Sequence, residues 1–199
     1  MLYTIFRGFF FYLLKVLSRM EVHGVDHLPK TGPVLLVSNH ISNWDPLVVG
    51  SAANRRVSFI AKEELFKIPL VNYLLKAWGV VPVKRGRGDR EAISKSLELL
   101  REQNVIGIFI EGHRNKIDPD RMLKPQPGAA MLALKSGAPV VPMLVTNTHH
   151  IYRFGKVRIF IGAPLQFQMD PERDKKELYN EVSQRIIDAI ESLRDQARA

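Results

Sequence analysis

Six short apolar runs rich in Val and Ile mark out the chain: "VLLVSN" from Val34, "VSFIAK" from Val57, "GVVPVKR" from Gly79, "VIGIFIEG" from Val105, "PVVPMLVT" from Pro139 and "VRIFIGAPL" from Val157. Runs of this length, without polar alternation, read as buried strands. Helical periodicity fills several of the intervals. "DREAISKSLELLREQN" starts on Asp89 as a capping residue and carries a stripe of Ile93, Leu97 and Leu100. "PGAAMLALKSGAP" predicts a short buried helix closed by Gly137, and "ELYNEVSQRIIDAIESL" repeats Leu178, Val182, Ile186 and Ile190 along one face. Strands alternating with helices imply an α/β fold, a mostly parallel mixed sheet flanked by helices. Pro82 and Pro142 fall inside strand-like runs, so they belong at strand ends, bulges or edges.

Polar residues gather directly after four of these runs. They are Asn39 and His40 after the first, Lys62 after the second, Lys84 and Arg85 after the third, and Glu111 to Arg114 after the fourth. In open α/β sheets ligands bind beyond the carboxyl ends of the strands, so parallel strands would bring these groups to one rim. A histidine, a carboxylate and several cations there suit acid-base chemistry on an anionic, phosphorylated substrate. Within the first cluster, "NHISNWDP" sets His40 five positions before Asp45. The pair could be a base with its orienting carboxylate. It could equally be a strand end followed by a helix cap, because Asp before Pro suits a helix start. His113 and Asp118 repeat the spacing after a later run, so spacing alone does not choose between the pairs.

The N-terminal stretch, residues 1–20, reads as an amphipathic helix separate from the α/β unit of residues 21–199. Ile5, Phe6, Phe9, Leu13, Val16 and Leu17 share one side, while Thr4, Arg7, Gly8, Lys15, Ser18 and Arg19 share the other. Sinking Arg7 or Lys15 into hydrocarbon would cost roughly 2.5–3.5 kcal/mol each, so the helix is expected to lie in the interface with its cations at anionic headgroups. The competing reading is a terminal helix packed on the core.

Composition adds two constraints. A formal net charge of +9 favours an anionic partner such as an acidic lipid surface, a phosphorylated substrate, nucleic acid or an acidic carrier protein. The absence of cysteine removes disulfides, thiolate metal sites and a cysteine nucleophile together. No serine lies in a G-x-S-x-G elbow, and the adjacent His149 and His150 lack further partners for a metal set.

From about Val22 to Pro164 the chain resembles the glycerolipid acyltransferases related to bacterial 1-acyl-glycerol-3-phosphate acyltransferase. "NHISNWD" matches the first block of that family, "FIAKEELFKIPLVNYLLKAWGVVPVKR" the second, "FIEGHRN" the third, "LKPQPGAAMLALKSGAP" the segment with a lysine and glycine before a small-residue helix, and "VVPMLV" the fourth. The third block departs from the pattern at Ile110, His113 and Asn115, which stand where proline, threonine and serine are usual. His113 thereby becomes a coincidental rival.

The resemblance implies a glycerolipid acyltransferase-like fold and transfer of a fatty acyl group from acyl-CoA or acyl-carrier protein to lysophosphatidic acid, giving phosphatidic acid. It makes His40 the general base and Asp45 its orienting carboxylate. Lys62, Arg85 and Arg114 become binding residues for the acceptor phosphate, and Lys124 a further substrate-binding residue. Glu111 would place Arg85 or the glycerol hydroxyl, and Gly112 lies where backbone N–H groups could meet an oxyanion. No metal or cofactor is expected, and no nucleic-acid partner. The expected location is the cytoplasmic face of the cell membrane, as a peripheral or monotopic protein.

Overall fold

Each of the six runs forms a strand in the computed structural model, which describes residues 2–83 and 89–198. They are β2 (Val34–Ser38), β3 (Val57–Lys62), β4 (Val81–Val83), β5 (Val105–Phe109), β6 (Val140–Thr146) and β7 (Arg158–Ile161). A further short strand, β1 (Glu21–His23), precedes them, and the seven form one sheet in the order β1-β7-β6-β2-β5-β3-β4. All neighbours run parallel except β6 and β7, which are antiparallel. The carboxyl ends of β4, β3, β5, β2 and β6 therefore share one rim, as the polar clusters required.

The helices are α1 (Leu2–Ser18), α2 (Asp45–Ala52), α3 (Pro69–Ala77), α4 (Asp89–Arg101), α5 (Gly128–Ser136) and α6 (Lys175–Arg198). Alternate residues of the central strands serve opposite layers. Leu35, Val37, Ile106 and Leu144 pack with Leu100, Leu132, Ile186 and Ile190 of α4, α5 and α6. Val34, Leu36, Val105 and Met143 pack with Leu14, Val48 and Val49 of α1 and α2. Burial on both faces explains why the runs show no polar alternation. Gly137 closes α5 in the left-handed conformation (φ 64°), and the Leu178, Val182, Ile186 and Ile190 stripe of α6 is buried, both as the periodicity predicts. The side chain of Asp89, expected as a helix cap, lies outside the described residues.

Pro82 sits on the edge strand β4. Pro142 is in the interior strand β6, at a register slip. Val140 bridges Leu165 while the ladder proper begins at Met143 and Ile161, so the β7 side holds one residue more. Pro142 has no N–H to give there, and its carbonyl accepts from Gly162 N–H at 2.9 Å.

In α1 the reading of a terminal helix packed on the core holds for one side, and the other side is left exposed. Leu14 and Ser18 are buried, and Phe10 meets Trp78 edge-on at 5.8 Å, so one side docks on the protein. Ile5, Phe9, Tyr12 and Val16 form an exposed apolar stripe on the other. Arg7 corrects the expectation. Instead of pointing to headgroups it donates to the carbonyls of Ala53 at 2.7 Å and Ser51 at 3.5 Å, capping the C-terminal end of α2. Lys15 and Arg19 remain exposed. Among the described residues no helix is long and apolar enough to cross a membrane.

Candidate active site

Asn39 extends the end of β2 across to β6. Its amide donates to Val145 O at 2.9 Å and accepts from Val145 N–H at 2.8 Å, a side chain imitating a ladder rung. This fixes where the next residue, His40, begins. Its backbone is held on both sides: its N–H donates to Glu111 Oε1 at 2.8 Å, and its carbonyl accepts from Asn115 N–H at 2.7 Å.

The turn that follows returns Asp45 beneath the imidazole. His40 Nδ1 lies 2.7 Å from Asp45 Oδ2, the same oxygen accepts from Ile41 N–H at 2.7 Å and Ser42 N–H at 2.8 Å, and Asp45 Oδ1 accepts from the Thr148 hydroxyl. Asp45 is 0% exposed, and these donors compensate a charge that burial would otherwise make costly. The expectation of a helix cap is corrected here. The carboxylate of Asp45 turns back to the preceding turn, α2 has no side-chain cap, and Pro46 supplies the pre-set backbone at the helix start.

His40 keeps 17% of its side chain exposed. Its ring stacks on Phe109 at 4.1 Å, and Phe109 stacks on Phe59 at 5.8 Å. Gly107 makes room for this column, since a Cβ there would meet the Phe59 ring at 2.5 Å. With Nδ1 bound to a carboxylate, which can only accept, the proton sits on Nδ1 and Nε2 is the free base.

The other expected residues divide. Lys62 ends β3 on this rim, but its side chain, like all of Arg85, lies outside the described residues. Arg114 is half-buried with no ion pair among the described residues, and Lys124 is exposed. Lys124 is brought near by the segment in which Leu123 N–H donates to Glu111 Oε2 at 3.0 Å and Gln126 N–H to Ile110 O at 2.8 Å. Gly112 has φ +70°, and a Cβ there would meet Gln126 Cγ at 2.7 Å, so both backbone and space require glycine.

Glu111 departs from its expected role. It is fully buried, and its two oxygens take the N–H groups of His40 and Leu123, so it braces the turn at His40. Burial pushes its carboxyl above the usual carboxylate range, with those two N–H groups offsetting only part of the effect. A carboxyl raised by folding contributes stability that is full below its unfolded pKa and lost as pH rises through its folded one. Measured against Glu111→Gln, which does not titrate, the urea midpoint of the wild type should therefore fall as pH is raised from about 4 toward neutrality. A gap that stays constant over that range would contradict the assignment.

The rival pair does not assemble. His113 is exposed, while the carboxylate of Asp118 faces Arg121 at 3.5 Å and accepts from Asp120 N–H at 3.1 Å. Asn115, in the usual serine position, organises the loop by donating to Asp118 O at 2.6 Å and Arg121 O at 2.8 Å. Among the described residues no three His, Asp or Glu side chains gather as a metal-ligand set.

Thr148 was invisible in the sequence, where nothing near it marks a partner for Asp45. Replacing it by Val removes one donor to a buried carboxylate, which should destabilise the protein by roughly 1–3 kcal/mol. Acting through Asp45, it should also lower kcat by up to about tenfold at unchanged KM. A proportional rise in KM would instead place Thr148 against substrate.

The chain is similar to known proteins along most of its length. A family model described as Acyltransferase matches residues 19–146, ending just before Thr148. A 1-acyl-sn-glycerol-3-phosphate acyltransferase from Borreliella burgdorferi is 31% identical over 186 residues, covering 88% of this chain and 73% of that protein. A protein of the same name from Bacillus subtilis is 26% identical and covers 92% of this chain and 94% of its own. The crystal structure of the 1-acyl-sn-glycerophosphate acyltransferase PlsC from Thermotoga maritima superposes with a TM-score of 0.75 at 28% identity, over 96% of this chain and 79% of that one.

Proposed function

The chain belongs to the acyltransferase family, and on that premise we propose that it transfers a fatty acyl group from a thioester to the free sn-2 hydroxyl of 1-acyl-glycerol-3-phosphate, forming phosphatidic acid. The observation that carries the mechanism is the 2.7 Å contact between His40 Nδ1 and a fully buried Asp45. As the acceptor oxygen attacks the thioester carbonyl, His40 Nε2 takes its proton, and Asp45 stabilises the imidazolium that forms. Collapse of the tetrahedral intermediate breaks the C–S bond, and the departing thiolate takes the proton from His40. The substrate supplies the nucleophile, so no acyl-enzyme is needed.

Arg114 and Lys124, with Lys62 at the end of β3 and Arg85, would receive the acceptor phosphate. Either acyl-CoA or acyl-carrier protein suits the basic surface as donor. Radiolabelled acyl transfer to a panel of acceptors tests the assignment. Lysophosphatidic acid should be the preferred acceptor, and faster transfer to glycerol-3-phosphate or to a lysolipid without phosphate would reject it.

The exposed stripe of α1 supports a peripheral location on the cytoplasmic face of the membrane, where both donors are found. Exchanging Ile5 and Phe9 together for Ser should leave the fold intact and cut sedimentation with anionic vesicles by at least about tenfold, from the apolar area lost. Undiminished sedimentation would move the contact away from α1.

A further inference from the structure

Phe154 is poorly suited to its place in the folded chain. It closes the 3₁₀ turn Thr148–Arg153 with φ 53° and ψ 28°, a left-handed backbone that Gly or Asn adopts readily and a bulky side chain does not. The residue is 69% exposed, so packing returns little. Tyr152 beside it is 77% exposed and touches Trp44 edge-on at 5.5 Å. Two aromatic rings held out from a turn, one on an unfavourable backbone, answer to something outside the chain.

The surroundings indicate what that is. Thr148 ties the turn to the catalytic Asp45, and Val157 N–H donates to Ser18 O at 3.0 Å, joining the chain just beyond it to the end of α1. No acidic residue occurs from Met122 to Met169, and the turn itself contains Arg153. Lys156 is already paired with Glu21 at 2.7 Å. Every exposed large apolar residue among those described lies either on α1 or in segments following the carboxyl ends of β3, β5 and β6, and none lies on α4, α5 or α6. Aromatic rings beside Arg153, joined through Val157 to the end of a helix with an exposed apolar stripe, have the chemistry of an anionic phospholipid interface.

We propose that the turn Thr148–Arg153 with Phe154 is a second membrane-contacting element, seating Phe154 and Tyr152 at headgroup level directly beside the catalytic pair. This rests on the peripheral-membrane reading of α1 and extends it to the catalytic rim.

Because the chain has no cysteine, Phe154→Cys carrying an environment-sensitive fluorophore reports on this position alone. Vesicles of phosphatidylglycerol and phosphatidylcholine should shift its emission to the blue. If the protein sediments with those vesicles and the emission does not move, the proposal fails while the α1 reading survives. If the protein does not sediment at all, both fail. A blue shift given by an acidic carrier protein but not by vesicles assigns the turn to a protein partner and also overturns it. Phe154→Asn, which suits the backbone, should keep or raise the thermal unfolding temperature yet partition onto the vesicles about threefold to tenfold less well. Unchanged partitioning in that variant would count equally against the proposal.

Discussion

His40→Ala should lower kcat for acyl transfer by about 10²–10⁴-fold with little change in KM, because it removes the base and leaves the binding groups in place. Two features make the loss specific. Phe109 stacks beneath the ring, so a small residue at position 40 leaves a gap above an aromatic face with no polar group to replace the imidazole. The backbone of residue 40 is held by Glu111 and Asn115 through main-chain atoms, so the turn should keep its course without the side chain. His113→Ala supplies the contrast. His113 is exposed and makes no contact with Asp118, so its removal should leave kcat within about twofold, well under 1 kcal/mol of barrier. A large loss at His113 with activity retained at His40 would reverse the assignment.

Asp45→Ala should be the most damaging change, for two separable reasons. Catalysis loses the group that fixes the tautomer of His40 and stabilises its protonated form, a role worth about 10⁴-fold in kcat where such a carboxylate supports a histidine base. The fold loses the common acceptor for Ile41 N–H, Ser42 N–H and the Thr148 hydroxyl, all buried, at a cost of roughly 3–5 kcal/mol. A double variant separates the two. His40→Ala combined with Asp45→Ala should be scarcely slower than His40→Ala alone, since residues acting as a unit are not additive. In urea it should nevertheless be destabilised by nearly the full cost of Asp45→Ala. Kinetic losses that multiply would show that Asp45 works on the reaction independently of His40.

Much of this was legible in the order of residues, because the site is assembled from strand ends. A continuous apolar run announces a strand buried on both faces, and the residue that ends it is by construction on the rim. His40 and Glu111 were therefore visible as rim residues. What Glu111 does there was not, because its partners are backbone N–H groups that carry no residue signature. Thr148 escaped for a related reason: one hydroxyl past a strand end has no spacing that ties it to Asp45. The cap expected of Asp45 failed because the carboxylate had a choice of N–H donors, and the turn before the helix offered two beside a histidine. Strand β1 was missed because Glu21-Val22-His23 is too short for any period to register. Pro142 was read correctly as a sign of irregular pairing, though only the register of β6 against β7 shows where the irregularity falls.

The single reversal in the sheet has a consequence for the geography of the enzyme. Strand β1 pairs parallel to β7, and β7 alone breaks the common direction by running against β6. The start of β1 is thereby brought to the rim where β6 finishes, and α1, which immediately precedes it, arrives there too. Had β7 followed the others, the first helix would have been delivered to the opposite pole, a full strand length from His40. One strand's polarity thus decides that the Ser18 end of α1 and the chemistry share a rim.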